Sequence, residues 1–560
     1  MIPVNSLADI VLLLALGLAI TPFLGRHIAH IYQSRRSPLD PILLPLERAI
    51  YRIGGVDPRR SMTWKEYFRA LLLLDGSALA FVFVLLSLQS GLPWNGLHVP
   101  NMSWDLAFHT ASAFTTNTDF QHYVGESQVS LFSSLFGLQT LMFLSPATGL
   151  SVFAALCRGF SARDGRIGNY YVDMVRGLTR LILPLAVVAS LLFILAGAVE
   201  SWSSSVTIVP FAGGSAQTIV LGPAGSWDGI EFLGTNGGGF FAANAAHPFQ
   251  NPNVVTNSIA ILLMMAIPMS TPIAFGRLVR RPGESWPLMA TILAIFLVGL
   301  LAFLYFESAN PFLGGAVSQV GGYSVGTETR FGVPDSALFQ FTSVFTNTGA
   351  TTMSLGALPP FAQSILLFGM FLQSTPGGDG SGFGMLLIYV VVGVFMGGLM
   401  VGRSPEYLGK KIGMPQVKWA AAALLSHPFA ILIPVAVSLE LGVGQAAVGG
   451  FSAHGFTVLL YEFVSESANN GSGMAPIADG TLYFNLVGAI VMLLGRYFPI
   501  LAMLAIAGSL ASQRATPPGP GTLKTQSYTF TIFLILFLII VAGLLFLPVL
   551  ALGPFSQVPP

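Results

Sequence analysis

Ser112-Ala-Phe-Thr-Thr-Asn-Thr-Asp119 has a near copy, one residue shorter, in Ser343-Val-Phe-Thr-Asn-Thr-Gly349. Each ends a semi-apolar stretch too short to cross a membrane, and two further stretches end in the same manner. The four small polar clusters are Asn117-Thr118-Asp119, Thr235-Asn236-Gly237, Asn347-Thr348-Gly349 and Asn469-Asn470-Gly471. Their third members stand at 119, 237, 349 and 471, so the steps are 118, 112 and 122. Ser103-Trp-Asp105 ahead of the first cluster likewise returns as Ser226-Trp-Asp228 ahead of the second. One Asn/Thr/Gly cluster is an ordinary turn. Four at a near-constant period are the mark of a duplicated unit.

Outward from these clusters the chain is apolar. Of 560 residues 53% are hydrophobic and 9% charged, where a soluble domain carries roughly a quarter charged residues. Apolar runs that meet the ~20-residue requirement for a helical crossing recur throughout. Spans are expected near 7–26, 66–90, 128–151, 178–199, 255–276, 286–306, 361–402, 417–441, 480–508 and 526–551. The seventh run is too long for one crossing and contains Pro376-Gly-Gly-Asp-Gly-Ser-Gly382, so a broken helix is expected there. The first run has Asp9 before it and Arg26, Arg35 and Arg36 after it, the reverse of a signal peptide's flanks, and is read as a retained helix.

The fold class this predicts is an all-α polytopic membrane protein of ten transmembrane helices, with four pseudo-symmetric helix/pore-loop/helix repeats around a central pore and one extra helix at each end. The corresponding divisions are 1–65 for the first helix and its loop, 66–177, 178–285, 286–416 and 417–515 for the four repeats, and 516–560 for the last helix. Lysine and arginine mark the cytoplasmic side. The loops after spans one, three, five, seven and nine, with their flanks, hold 9, 5, 3, 4 and 2 of them, 23 of the chain's 25. Arg330 alone lies in an alternate loop, and Arg496 lies inside the ninth span. Both termini are therefore expected on the extracytoplasmic side. The outward loops carry Asp105, Asp119, Glu126, Asp228, Glu231, Asp335, Glu462 and Glu466, which are expected to form a cation-concentrating negative face.

A cation that enters a membrane loses its water, and a ring of backbone carbonyls with some hydroxyl or amide oxygens replaces that shell. Glycine at the end of three clusters gives backbone freedom to aim carbonyls at one axis. Asp105, Asp228 and Asp335 stand about one short helix ahead of three clusters and are expected to cap those helices. Each helix would then aim its negative end at the cluster, which favours a cation. A hard divalent ion would call for converging carboxylates instead. Arg496 is expected to face the cavity below the clusters and repel cations from a straight exit, with a salt bridge to Asp75 as the alternative. The glycine-rich break, with Asp379 and Ser381, is expected to open a lateral route, or else to pack against neighbouring helices.

Two longer stretches carry a family resemblance. Phe232-Leu-Gly-Thr-Asn-Gly-Gly-Gly-Phe-Phe241, running on to Ala246-His-Pro-Phe-Gln-Asn-Pro252, and Gly398-Leu-Met-Val-Gly-Arg-Ser-Pro-Glu-Tyr-Leu-Gly-Lys-Lys-Ile412 are similar to segments of the A subunit of the bacterial potassium-transporting ATPase (KdpA). The resemblance implies a fold related to fourfold potassium channels and a place in the cytoplasmic (inner) membrane of a bacterium. It also implies a complex with a P-type ATPase B subunit, a single-span C subunit and a small F peptide, within membrane lipid. Potassium would be the transported ion, with no organic cofactor, captured outside and passed through an intramembrane tunnel to the ATPase subunit. The four tripeptides and Gln121 are the filter positions carried over. Family members commonly have Asn-Thr-Asn in the first cluster, where this chain ends on Asp119. Gln373 stands where some relatives carry an acid.

Other chemistry is not supported by the residues. Gly377-Gly-Asp-Gly-Ser-Gly-Phe-Gly384 lacks the Lys-Ser/Thr of a phosphate loop, and the Asp-Lys-Thr-Gly-Thr of a phosphorylated ATPase is absent, so ATP hydrolysis is expected in a partner. The eight histidines are scattered and show no His-Glu-x-x-His spacing, and no zinc site is expected. The single cysteine, Cys157, is read as packing, and Pro517–Gly521 as a cytoplasmic linker. The alternatives to a pump subunit are a stand-alone potassium channel or ion-coupled transporter, and a non-transporting scaffold.

Overall fold

A computed structural model describes residues 4–35, 37–38, 40–209, 213–309, 326–515 and 522–557. Pro517–Gly521 lies outside them. Ten helices among the described residues are long and apolar enough to span a membrane. They are Ser6–Tyr32, Trp64–Ser87, Ser133–Ser161, Tyr170–Leu195, Val254–Leu278, Pro282–Ser308, Ser381–Met400, Met414–Glu440, Leu482–Ala511 and Tyr528–Gln557.

Their burial alternates. Spans three, five, seven and nine are 83%, 78%, 72% and 61% buried, whereas two, four, six and eight are 33%, 39%, 44% and 44% buried. Each poorly buried helix precedes a polar cluster and each well-buried one follows it. The first and tenth spans are the most exposed, at 28% each. Leu73, Leu195, Val298, Phe429 and Leu544 stand on the outer faces with more than half their surface open, as helices solvated by lipid tails require. The inner four spans supply the wall of the core. At Gly25 of the first span a Cβ would lie 2.7 Å from the Ser270 carbonyl, so glycine lets that helix cross the fifth span closely.

The seventh apolar run is broken as expected. A short helix, Pro360–Leu372, ends where Gln373 turns left-handed at φ 55°, and the seventh span begins at Ser381 after Gly380 at φ 71°. A Cβ at Gly380 would stand 2.5 Å from the Gly149 carbonyl, so the break packs on the third span. Gly377 N–H donates to the Phe345 carbonyl at 2.9 Å and Asp379 N–H to Thr235 Oγ1 at 3.1 Å.

Helix ends differ from the sequence reading where charges are paired. The third span continues to Ser161 because Arg158 forms a two-toothed ion pair with Asp173, Nη1–Oδ2 2.6 Å and Nη2–Oδ1 2.7 Å. The fourth begins at Tyr170, its Arg180 held by Glu47 at 2.5 Å and Asp40 at 2.9 Å. Glu47 and Asp40 belong to an amphipathic helix, Asp40–Ile53, that hydropathy alone did not separate from the loop. In the stretch Gly398–Ile412 a turn through Leu408 and Gly409 presents Lys410, whose ammonium donates to the carbonyls of Ala162 (2.6 Å), Leu510 (3.1 Å) and Gln513 (2.5 Å). It closes the C-terminal ends of the third and ninth spans, where the helix dipole favours a cation. Cys157 is buried one turn before the end of its helix.

Removing one partner of a fully buried ion pair costs about 3–5 kcal/mol, and less is expected at Arg158–Asp173, where the arginine side chain is 26% exposed. Asp173→Ala is expected to lower the thermal unfolding midpoint in detergent by several degrees, because it also strips Tyr67 of its 3.0 Å acceptor. Arg60→Ala, at the solvent-exposed Arg60–Glu66 pair, is expected to leave that midpoint nearly unchanged. Equal shifts in the two variants would count against the paired-charge account of the helix ends.

Candidate functional site

Four short helices, Trp104–Thr115, Ala224–Leu233, Gly332–Phe345 and Ala453–Ala468, each end one or two residues before a polar cluster. The same turn follows all four. The middle residue of each cluster donates its backbone N–H to a carbonyl five residues back: Thr118 to Ala113 (2.9 Å), Asn236 to Glu231 (2.8 Å), Thr348 to Ser343 (2.7 Å) and Asn470 to Ser465 (2.9 Å). The first residue is left-handed in every case, at φ 63° for Asn117, 48° for Thr235, 53° for Asn347 and 55° for Asn469. Asn tolerates this conformation because its short side chain bonds locally. The carboxyl end of each helix, with its partial negative charge, is thereby turned toward the cluster.

The four clusters meet. A Cβ placed on Gly237 would lie 2.5 Å from the Thr118 carbonyl oxygen, 3.0 Å from that of Asn470 and 3.1 Å from that of Thr348. Carbonyls from the other three clusters therefore converge on one point beside the second. Side chains brace the ring: Asn117 Nδ2 donates to the Thr235 carbonyl at 2.6 Å, Asn347 Nδ2 to the Ala468 carbonyl at 3.0 Å and Asn469 Nδ2 to Thr118 Oγ1 at 2.9 Å. Asn470 Nδ2 reaches the Val344 carbonyl at 3.2 Å. Thr116 and Thr118 hydroxyls pair at 2.7 Å, as do those of Thr346 and Thr348.

Above the ring an open cavity of about 230 Å³ includes Gln121, Gly238, Gly349, Gly471 and Asp479 in its wall. Gln121 Nε2 donates to the Gly239 carbonyl at 2.9 Å and so links the segments after the first two clusters. Below the ring a cavity of about 30 Å³ is lined by Asn117, Asn347, Asn469, Gln373, Ser381 and Arg496, among others. The amide oxygens of Asn117 and Asn347, both lining this lower cavity, have no hydrogen-bond partner among the described residues. Arg496 Nη2 donates to the Ser145 carbonyl at 2.8 Å and Nη1 to Ser381 Oγ at 3.3 Å. Asp75 is held by hydroxyls instead, from Tyr497 at 3.0 Å and from Tyr170 and Thr148 at 3.2 Å each.

Three expectations are corrected. Asp105 and Asp335 lie in the first turn of their helices without capping them, and Asp228 sits in mid-helix, so the acids are not caps. Asp119, Asp228, Glu231, Glu462 and Glu466 are buried rather than spread on an outer face. Glycine's left-handed freedom is used at Gly349 (φ 87°) and Gly471 (φ 97°), but in the second cluster the positive φ falls on Gly238, and Gly237 is demanded by space. Asp119 adopts φ 53° with a side chain present. Its carboxylate is fully buried, has no hydrogen-bond partner among the described residues and lines neither cavity. Trp227, whose Nε1 donates to the Gly238 carbonyl at 2.9 Å, was not singled out from the sequence, although its place in the repeated Ser-Trp-Asp was a signal.

Comparison with known proteins agrees with this architecture. The sequence model of the family described as potassium-transporting ATPase A subunit matches residues 11–558. The potassium-transporting ATPase potassium-binding subunit of a Nostoc species is 41% identical over 99% of this chain and 98% of its own length. The subunits of the same name from Pseudomonas aeruginosa and Geobacillus kaustophilus are each 40% identical, covering 97% and 95% of this chain and the same shares of their own. The crystal structure of the potassium transporter TrkH from Vibrio parahaemolyticus shares the fold, with a TM-score of 0.50 at 16% identity over 88% of this chain and 96% of that one. The chain belongs to the potassium-transporting ATPase A subunit family (KdpA).

Proposed function

We propose that this chain is the potassium-binding and translocating subunit of an ATP-driven potassium import pump. The observation that carries the reading is the convergence of the Thr118, Thr348 and Asn470 carbonyls beside Gly237. Dehydrated potassium would sit there, its water replaced by backbone oxygens from all four clusters. The unpartnered amide oxygens of Asn117 and Asn347 would receive it on leaving. Ions enter through the outer cavity past Gln121. ATP is hydrolysed by a P-type B subunit, an ATPase partner that the names of the relatives support, and a single-span C subunit and a small F peptide complete the complex. The complex lies in the bacterial inner membrane with both termini of this chain outside, the orientation that places 23 of 25 basic residues in or beside the cytoplasmic loops.

Below the ring Arg496 stands beside the path, and its charge opposes an axial exit. The break at 373–380, with Ser381 and Asp379, offers the lateral way toward the partner subunit. The repeat boundaries 66–177, 178–285, 286–416 and 417–515 group each outer span with its short helix, cluster and inner span.

Potassium-stimulated ATP hydrolysis by the purified complex tests the ring. Gly237→Ala places a methyl group among the three carbonyls, and at least a tenfold loss in apparent potassium affinity is expected, about 1.4 kcal/mol. Asp119→Asn, at a carboxylate that lines neither cavity, is expected to move the affinity by less than Gly237→Ala and to keep discrimination against sodium. Unchanged potassium and sodium titrations in the Gly237 variant would remove the clusters as the selectivity site.

Arg496→Met tests the exit. In proteoliposomes without ATP, the variant is expected to pass a potassium tracer down its gradient several times faster than the unsubstituted protein. Equal tracer flux with equal pump activity would leave Arg496 a packing residue only.

A further inference from the structure

One helix of the fold turns its apolar face outward. In the helix Asp40–Ile53, between the first and second spans, Ile42, Pro45, Leu46, Ala49, Ile50 and Ile53 are all exposed. They recur at intervals of three and four residues, and at about 100° per residue they cover an arc of about 140° on one side. Ile53 has 88% of its surface open and Ile42 72%. The opposite side carries the polar groups and is buried, with Glu47 1% exposed and Tyr51 7%. A helix on the surface of a water-soluble protein has the reverse arrangement.

The bonds on the polar side fix the depth of the helix. Glu47 receives Arg180 Nε at 2.5 Å, Arg180 Nη2 at 3.0 Å and the Thr179 hydroxyl at 3.2 Å, and Asp40 receives Arg180 Nη1 at 2.9 Å. Arg180 belongs to the fourth span. The large exposed apolar side chains of that span start at Leu183 and continue through Val187, Val188 and Leu191 to Leu195. Its lipid-facing surface therefore begins three residues past the ion pair, a rise of roughly 4.5 Å. That puts the helix at the level where lipid tails give way to headgroups. Arg48 and Arg52, one turn apart and both exposed, border the stripe along one edge. The stripe itself is aliphatic throughout, without the tryptophan, tyrosine or arginine that anchors protein interfaces, and a leaflet asks only for apolar area.

We propose that Asp40–Ile53 is an in-plane membrane anchor, its aliphatic stripe seated among the acyl chains of the leaflet and Arg48 and Arg52 on the phosphates of anionic phospholipids. Interfacial helices of this kind bury one apolar face and extend basic side chains to the headgroups. The cytoplasmic leaflet, where the orientation proposed above puts this helix, carries the negative surface potential. The buried pair of Glu47 with Arg180 ties the anchor to the fourth span, so the level of the leaflet is imposed on the span that leads into the second cluster.

Nitroxide labels on single introduced cysteines test this in the full chain, in the complex in which it purifies, reconstituted into vesicles of phosphatidylethanolamine and phosphatidylglycerol. Cys157 is buried, and the unsubstituted protein controls for its labelling. At Ile42→Cys, Leu46→Cys, Ile50→Cys and Ile53→Cys, collisions with oxygen are expected to exceed those with a water-soluble nickel chelate several times over, and at Arg48→Cys the order is expected to reverse. With phosphatidylcholine in place of phosphatidylglycerol, the oxygen-to-nickel ratio at Leu46→Cys is expected to fall about twofold as the helix rises from the leaflet. Arg48→Gln with Arg52→Gln is expected to abolish that dependence on lipid. Nickel collisions as frequent on the stripe as at Arg48→Cys mean that water covers it, and exclusion of both reagents means that a partner subunit does; either result overturns the proposal. A ratio that ignores phosphatidylglycerol overturns the assignment of Arg48 and Arg52. All the substituted positions are exposed, and no readout depends on potassium or ATP, so the proposal stands or falls apart from the filter reading.

Discussion

Carbonyl dipoles pointed at one another repel, and the oxygens of Thr118, Thr348 and Asn470 lie within 3.1 Å of a single point beside Gly237. In water such groups would turn outward to be solvated. Inside a membrane protein the backbone can be held in this posture only by stronger constraints elsewhere, and much of the fold supplies them. The bond from each middle residue to the carbonyl five positions back locks the chain reversal four times over. Asn117, Asn347, Asn469 and Asn470 donate their amide protons to neighbouring segments, so that the first, third and fourth clusters each brace a neighbouring quadrant. The Trp227 indole fixes Gly238 from behind. A ring held this stiffly meets a dehydrated cation without reorganising, and the negative ends of four helices add to its attraction.

The same constraint explains what could be read from the chain before its structure. A left-handed first residue favours Asn, as in three clusters, and a crowded or left-handed third residue favours glycine, as in three, while Thr235 and Asp119 hold positive φ against that preference, so the ring is visible as short polar tripeptides repeated at nearly equal steps. The glycine-rich break was equally open to reading, because Gly377, Gly380 and Gly382 lie where another backbone approaches or φ is positive. Helix ends were not. Hydropathy stops at a charge, but Arg158 finds Asp173 and Arg180 finds Glu47, 133 residues away in sequence, and the helices run on past the apparent boundary. The aspartates taken for caps failed for a similar reason, since position along a short helix depends on a start that Pro223 or Phe331 sets without any side-chain signal.

The fourfold likeness ends at the lower face of the ring. Above it, every quadrant repeats the same turn with the same handedness. Below it, the third quadrant alone has the break between Leu372 and Ser381, and the fourth contributes Arg496. A symmetric pore would lead a cation straight down its axis. Here the guanidinium, fixed by the Ser145 carbonyl and the Ser381 hydroxyl, stands at that exit, and Asp379 in the adjacent break is buried without a hydrogen-bond partner among the described residues. In the proposed reading, a positive group ahead and a polar break to the side would bias a cation sideways, out of the quadrant whose helix is interrupted. Selection in such a design needs symmetry, because a ring of equal oxygens replaces a hydration shell, whereas delivery to a partner needs one direction. Duplication supplied the first, and divergence of two quadrants beneath the ring supplied the second.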